Sequence, residues 1–104
     1  MILLDKKLES EFAKMGRQEN DSPVVIAKFF NPTGSGTWFA TEYDAENKIF
    51  FGYVSIFNDE NNEWGDFSLD ELQSYKGRFG LGIERDLHFT PAPMSEVKRK
   101  YGIV

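Results

Sequence analysis

The sequence of 104 residues has no cysteine, a single histidine and no long apolar run. The absence of cysteine excludes disulfide bonds, thiolate nucleophiles, zinc–thiolate centres and iron–sulfur clusters. No carboxylate stands near His88 at a spacing typical of zinc or non-haem iron sites, so we expect no cofactor. Because no segment resembles a membrane span or a basic leader, we expect a soluble, cytoplasmic protein that does not enter a membrane.

The remaining composition is that of a globular protein. Hydrophobic residues make up 40% of the chain and aromatic residues 15%, with ten phenylalanines among them. Two separate cores would leave each half of so short a chain with marginal burial. We therefore predict a single α+β domain over residues 1–104.

Acidic residues are concentrated in the middle of the chain. The net charge is −5, but residues 42–71 contain nine acidic side chains, and Lys48 is the only basic one. Residues 72–104 hold six basic and three acidic side chains. An acidic surface repels phosphate, so we expect no direct binding of duplex nucleic acid. It favours a basic protein partner.

Hydrophobic periodicity predicts a helix followed by antiparallel strands. Asp5 is placed to cap a helix that ends at Gly16. Runs of β-branched and aromatic residues, separated by turn residues, predict strands over residues 24–30, 38–44, 48–57 and 63–67. Alternation predicts a further strand over residues 83–90, and residues 95–101 predict a short basic helix.

The clearest local signal is a capping box at the end of the fourth strand. Ser68 fits the N-cap and Glu71 the third helical position, and Gly77 is placed to end the resulting short helix. The predicted fold class is α+β, with a four- to five-stranded, mainly antiparallel meander sheet. The N-terminal helix and the capped helix are predicted to pack on one face of that sheet.

The strand segment Phe51-Gly52-Tyr53-Val54-Ser55-Ile56 matches part of the aromatic strand on which RNA-recognition domains stack bases. Its flanks are acidic, and the predicted order of elements differs from the order that those domains need. We therefore favour ordinary core packing of these aromatic side chains. Binding of single-stranded nucleic acid stays an alternative function.

Two pairs of carboxylates have the i, i+2 spacing that places both on one face of a strand. They are Glu42 with Asp44, and Glu84 with Asp86. Such a pair can hold magnesium or act as general acid and base, so a small metal-dependent hydrolase or nuclease is a second alternative. Neither strand supplies the nearby lysine that a nuclease would use, and solvated strand faces explain the spacing equally well.

Arg85 lies among apolar residues in the predicted strand over residues 83–90. A guanidinium in such a place needs an anionic partner. Alternation puts Glu42 on the same strand face as Trp38 and Ala40, which is the face expected to point inward. We predict a structural ion pair between Glu42 and Arg85, with Asp44 as the other candidate partner.

Aromatic side chains near several acids are typical of protein-binding hot spots. The predicted partner-binding residues combine five carboxylates with one indole: Asp59, Glu60, Glu63, Trp64, Asp66 and Asp70. We assign no catalytic residue and no metal ligand.

Several segments in fixed order resemble a known family. They are Ala27 to Pro32, Trp38 to Asp44, Phe50-Phe51-Gly52, Gly65 to Leu72, and Gly80 to Phe89. The family they resemble is a bacterial one of unknown function, whose small stand-alone members are common on plasmids, conjugative elements and prophages. The resemblance implies an accessory protein of a mobile element, and it implies no activity, cofactor or catalytic residue.

From the charge distribution we expect a non-enzymatic, acidic protein-binding module. With the genetic setting that the resemblance implies, its sharpest form is a counter-defence inhibitor, either anti-CRISPR or anti-restriction. Such a protein would occupy the basic nucleic-acid channel of a host defence nuclease. The sequence makes no prediction of the oligomeric state.

Overall fold

The computed structural model describes residues 1–104, in which three helices pack on an antiparallel sheet. The helices are α1 (Lys6–Met15), α2 (Leu69–Ser74) and α3 (Met94–Tyr101), with a 3-10 turn at Arg78–Gly80. The strands are β1 (Val24–Val25), β2 (Ala27–Phe30), β3 (Thr37–Asp44), β4 (Ile49–Ser55), β5 (Glu63–Ser68), β6 (Glu84–Arg85) and β7 (Ala92–Pro93). None of the helices has the length and apolar character needed to cross a membrane.

The main sheet has five strands in the order β5-β4-β3-β2-β6, and all neighbours are antiparallel. A second, two-stranded sheet pairs β1 with β7. The strand predicted over residues 24–30 is thus divided between the two sheets. The predicted α+β class with a mainly antiparallel sheet is confirmed.

Helix α1 begins and ends where the sequence predicts. The Asp5 carboxylate accepts a hydrogen bond of 2.8 Å from the backbone N–H of Leu8. Gly16 adopts a φ of 63°, a conformation that favours glycine at the end of a helix. Leu8 and Phe12 are buried in the larger core cluster, on what we call the first face of the sheet.

Helix α2 covers the same face. The Ser68 hydroxyl accepts a hydrogen bond of 3.2 Å from the backbone N–H of Glu71, which confirms the predicted N-cap. Leu69 and Leu72 are buried in the same cluster as α1. The predicted packing of both helices on one face is confirmed.

Helix α3 covers the opposite side, the second face, and adds a layer that the sequence did not indicate. Phe39 and Tyr53 of the sheet form a smaller core cluster there with Met94 and Val97 of α3. With eight residues, α3 is only about 12 Å long. It therefore leaves the outer part of the second face, on β4 and β5, uncovered.

Strand β3 contains a β-bulge at Thr41. Ala40 pairs with Gly52, but Glu42 pairs with Phe51, so Thr41 is an extra residue in β3. An extra residue reverses the alternation of side chains along the strand. Ala40 consequently lies on the first face, whereas Glu42 lies on the second face with Phe51.

The strand predicted over residues 83–90 is reduced to the two residues of β6. Its pairing with β2 ends where the backbone N–H of Asp86 donates to the carbonyl of Lys28, at 2.9 Å. The Asp86 carboxylate then accepts from the backbone N–H of His88, also at 2.9 Å, and the chain turns away. In a continuous strand, Leu87 would share the inner face with Ile83 and Arg85, but here it is 65% exposed.

Candidate functional site

The six predicted partner-binding residues lie along the β5 edge of the sheet, and we call this surface the acidic edge. All six are exposed: Asp59 and Glu60 in the loop before β5, Glu63, Trp64 and Asp66 on β5, and Asp70 on α2. Cross-strand pairing with Tyr53 and Phe51 places Trp64 and Asp66 on the second face. None of the five carboxylates forms an ion pair within the chain.

Phe51 and Trp64 form an exposed stacked pair at the acidic edge. Their ring centroids are 5.9 Å apart with an interplanar angle of 11°, and each side chain is 37% exposed. Trp64 also packs edge-on against the Tyr53 ring, with the two ring centroids 5.2 Å apart. The core packing predicted for this strand is confirmed for Tyr53, which is 6% exposed, and is wrong for Phe51. Phe51 is exposed because it lies on the part of the second face that α3 leaves uncovered.

A cleft of about 790 Å³ opens beside this aromatic pair, between the end of α1 and the turn that joins β3 to β4. The carboxylates of Glu42, Asp44 and Asp66 line it, and Arg17 is the only basic residue in its wall. Arg17 forms an exposed ion pair of 3.3 Å with Glu19. The cleft therefore continues the negative surface of the acidic edge onto the end of the sheet.

The pKa of Tyr43 is raised at this end of the sheet. Burial is the main cause that raises the pKa of its phenol. The nearby carboxylates of Glu9, Asp70 and Asp44 raise this pKa further. The arrangement thus favours cations over anions at this end of the molecule.

The ion pair predicted between Glu42 and Arg85 is wrong. Arg85 pairs with Phe29 in the sheet and so lies on the first face, whereas the bulge in β3 puts Glu42 on the second. The Arg85 Nη1 atom instead lies 3.5 Å from a carboxylate oxygen of Asp5. Glu42 accepts a hydrogen bond of 3.0 Å from the backbone N–H of Gln18.

Asp5 therefore both caps α1 and neutralises Arg85. The hydrogen bond from the backbone N–H of Leu8 is the main cause that lowers the pKa of the Asp5 carboxyl. Partial burial opposes this effect, and the charge of Arg85 adds to it. The Nη1 atom of Arg85 is buried without a hydrogen bond, so its contact with Asp5 is a longer, ionic one.

The first carboxylate pair, Glu42 with Asp44, does not act as a unit. The Asp44 carboxylate accepts hydrogen bonds from the Asn47 side chain at 2.8 Å and from the backbone N–H of Glu46 at 3.0 Å. The side-chain bond from Asn47 is the main cause that lowers the pKa of Asp44. Asp44 stabilises the turn after β3, while Glu42 binds the loop that follows α1.

The second pair, Glu84 with Asp86, is separated from the first by β2. Asp86 forms an ion pair of 3.3 Å with Lys28, and both side chains are about four-fifths buried. Burial raises the pKa of the Asp86 carboxyl, but the hydrogen bond from His88 and the contacts of Lys28 lower it overall. The structure brings no three histidine, aspartate or glutamate side chains together in a group that could hold a metal ion.

Gln18 is a residue of this region that sequence reasoning missed. Its side-chain amide donates to the carbonyls of Val24 and Thr41, each at 2.9 Å, and accepts from the backbone N–H of Val24 at 2.7 Å. Gln18 thus ties the loop after α1 to the bulge in β3 and fixes the position of Glu42. No periodicity or motif marks it, because its partners are 6 and 23 residues away along the chain.

The chain matches the model of a protein family. Residues 3–100 fit a family described as "Protein of unknown function (DUF2958)". No curated protein and no solved structure matches the chain. The resemblance to a family of unknown function is confirmed at that level. That description names no activity, ligand or partner, so the function has to be inferred from the surface of the protein.

Proposed function

From the premise that the chain belongs to the DUF2958 family of proteins of unknown function, we propose that it is a protein-binding module for a basic partner. The observation that carries this proposal is the exposed stack of Phe51 on Trp64 beside carboxylates that have no cationic partner in the chain. The acidic edge and the stack together form the proposed binding surface.

Charge and aromatic area contribute in different ways. Unpaired carboxylates on one edge repel one another, and a basic partner relieves that repulsion and is attracted at long range. Half-exposed aromatic rings supply apolar contact area with little loss of conformational entropy. We infer that the carboxylates set the rate of encounter and that Phe51 and Trp64 slow dissociation.

A sharper form of the proposal makes the partner a nucleic-acid-binding protein. A row of carboxylates has the sign of a phosphate backbone and would compete for a basic channel. For an accessory protein of a mobile element, such a partner would be a host defence nuclease, and the protein would act as an anti-CRISPR or anti-restriction inhibitor. This form predicts that the partner's own nucleic acid displaces the protein.

Two charge-reversal variants with equal net charge test the proposal. The first changes Asp59, Glu60 and Glu63 of the acidic edge to lysine. The control changes Glu19, Asp21 and Glu96, which are exposed away from the acidic edge, to lysine. Each variant moves the net charge from −5 to +1, and neither should change the melting temperature much, because exposed charges contribute little to stability.

The measurement uses a protein captured by the parent from a cell lysate and then purified. We expect the acidic-edge variant to associate with it more slowly and with less dependence on salt, while the control keeps most of the parent's affinity. Equal loss in both variants would mean that only the net charge matters. Full affinity and salt response in the acidic-edge variant would refute the proposal.

The same proteins separate the two alternative functions. If the Phe51–Trp64 stack binds unpaired bases, the parent binds single-stranded oligonucleotides and the acidic-edge variant binds them more tightly. If the chain is a metal-dependent hydrolase, the parent binds a divalent cation. Changes at Glu42, Asp44, Glu84 or Asp86 then abolish that binding, whereas changes at the acidic edge do not.

A further inference from the structure

Strand β5 is an edge strand with one free side. Its only neighbour in the sheet is β4, and its six residues make it three times as long as β6, the strand at the other edge. Just beyond β5, the backbone N–H of Leu69 donates to the carbonyl of Lys48 at 3.0 Å. In an antiparallel ladder, hydrogen-bonded and non-hydrogen-bonded pairs alternate. The register then makes Gly65 and Phe67 hydrogen-bonded to β4.

The same alternation points the backbone N–H and C=O groups of Trp64 and Asp66 away from the sheet. No hydrogen bond from a loop or a helix end reaches these four groups. Both side chains are exposed, and Gly65 between them has open space where a Cβ would lie. The free side of β5 therefore presents an unpaired, accessible row of backbone donors and acceptors.

A second copy of this chain does not suit the free side of β5. Antiparallel pairing of two β5 strands would bring the carboxylates of Glu63 and Asp66 in one copy near those of the other. Like charges across a strand pair are destabilising. A strand with basic side chains has the opposite effect, since each base would lie near a carboxylate that has no partner in the chain.

We propose that β5 binds an extended, basic segment of its partner by strand addition, using the free backbone groups of Trp64 and Asp66. This inference rests on the proposed function and names how the acidic edge would bind. The main-chain hydrogen bonds would give affinity, and alternate side chains of the added strand would give specificity. On the second face, those side chains would meet the Asp66 carboxylate and the stacked ring of Trp64.

The test uses two synthetic peptides of alternating lysine and threonine, identical except that one is N-methylated at every residue. The methyl groups keep the charge but remove the backbone N–H donors from both edges, so the methylated peptide cannot pair as a strand through either edge. Binding is followed by NMR titration and by amide hydrogen exchange in the parent protein. We expect the unmethylated peptide to bind at least about tenfold more tightly. We also expect it to slow exchange at Trp64 and Asp66, while Gly65 and Phe67 are protected with or without peptide.

A pair of variants at one position gives an independent measurement. Asp66→Pro removes a donor that points away from β4, so it costs no hydrogen bond of the ladder. Asp66→Asn removes the charge and keeps the donor. Strand addition predicts that Asp66→Pro abolishes binding of the unmethylated peptide and that Asp66→Asn only weakens it. If Asp66→Pro does not fold, amide exchange at Trp64 and Asp66 in the parent protein still shows whether the peptide adds as a strand.

The outcomes separate the inference from the proposed function. Equal binding of the two peptides, without new protection at Trp64 and Asp66, overturns strand addition but leaves the acidic edge as a site for basic side chains. No binding of the unmethylated peptide also overturns strand addition. Protection of Trp64 and Asp66 in a dimer of the protein alone would make a second copy the occupant and refute the basic segment. The proposed function itself is refuted only if the acidic-edge variant keeps full affinity and salt response for the captured partner.

Discussion

Gly52 and Gly65 face each other across β4 and β5, yet only Gly65 has room for a side chain. A Cβ on Gly52 would lie 1.9 Å from the Phe39 carbonyl oxygen and 3.0 Å from the Cα of Ala40. Both atoms belong to the backbone of β3, just before the bulge. At Gly65 nothing lies within 4 Å of the same position. Substitution of the two glycines by alanine should therefore change stability in opposite directions.

The expected magnitudes follow from these distances. The overlap at Gly52 exceeds 1 Å, and no side-chain rotation can relieve it, so the backbone of β3 has to move. Overpacking typically costs about 1–3 kcal/mol, and we expect Gly52→Ala to lie at or above the upper end. Gly65 does not have a positive φ. Gly65→Ala should thus stabilise the protein by about 0.4–1 kcal/mol, because it restricts the unfolded chain.

Thermal and urea unfolding measure both effects. At about 4 °C or more per kcal/mol for a domain of this size, Gly52→Ala should lower the melting temperature by at least about 12 °C. Gly65→Ala should raise it slightly. The reasoning is refuted if Gly52→Ala melts within about 2 °C of the parent. It is also refuted if Gly65→Ala destabilises the protein as much as Gly52→Ala does. Both positions would then need glycine for a reason other than the steric overlap with β3.

Three further predictions concern the caps and ion pairs. Ser68→Ala should cost about 1 kcal/mol in urea unfolding, because it leaves a helix-start amide without its acceptor; unchanged stability would mean that the hydroxyl is not needed. Burial raises the pKa of Asp86 but hydrogen bonds and an ammonium group lower it overall, below its ordinary 3.8. The stability from this carboxylate is therefore fully present above about pH 4 and is lost as the pH falls through the lowered pKa, so Asp86→Asn should flatten acid unfolding curves in that range. In double-mutant cycles, Arg85→Ala should couple to Asp5→Asn and be additive with Glu42→Gln within about 0.5 kcal/mol; the reverse result would restore the Glu42 pairing.

The caps were predictable because their physics is local. The side chains of Asp5 and Ser68 bind backbone N–H groups three residues ahead, so the contact depends on a short stretch of chain alone. The antiparallel sheet was predictable for a similar reason, since turn residues separate strands that pair with their neighbours in sequence. These signals do not depend on where distant parts of the chain pack.

The ends of the sheet depend on contacts that the sequence pattern does not show. The alternation over residues 83–90 is real, but pairing with β2 stops at Asp86, and Leu87 becomes exposed. The exposure of Phe51 likewise depends on how far α3 reaches across the second face. The sequence pattern does not distinguish the exposure of Phe51 from that of Tyr53. The two residues are two positions apart and lie on the same face of β4, and only the helix packed above that face makes one exposed and the other buried.

The position of Glu42 shows how one inserted residue redirects a functional prediction. Counting by twos from Ala40 puts Glu42 inside, opposite Arg85, and this prediction fails because Thr41 is bulged. The bulge is held by contacts across the sequence: Thr41 donates to the carbonyl of Phe51 at 3.1 Å, and Gln18 donates to the carbonyl of Thr41 at 2.9 Å. As a result, Glu42 lies beside Phe51 on the open face. The same bulge therefore removes the expected buried ion pair and adds a carboxylate next to the exposed aromatic stack.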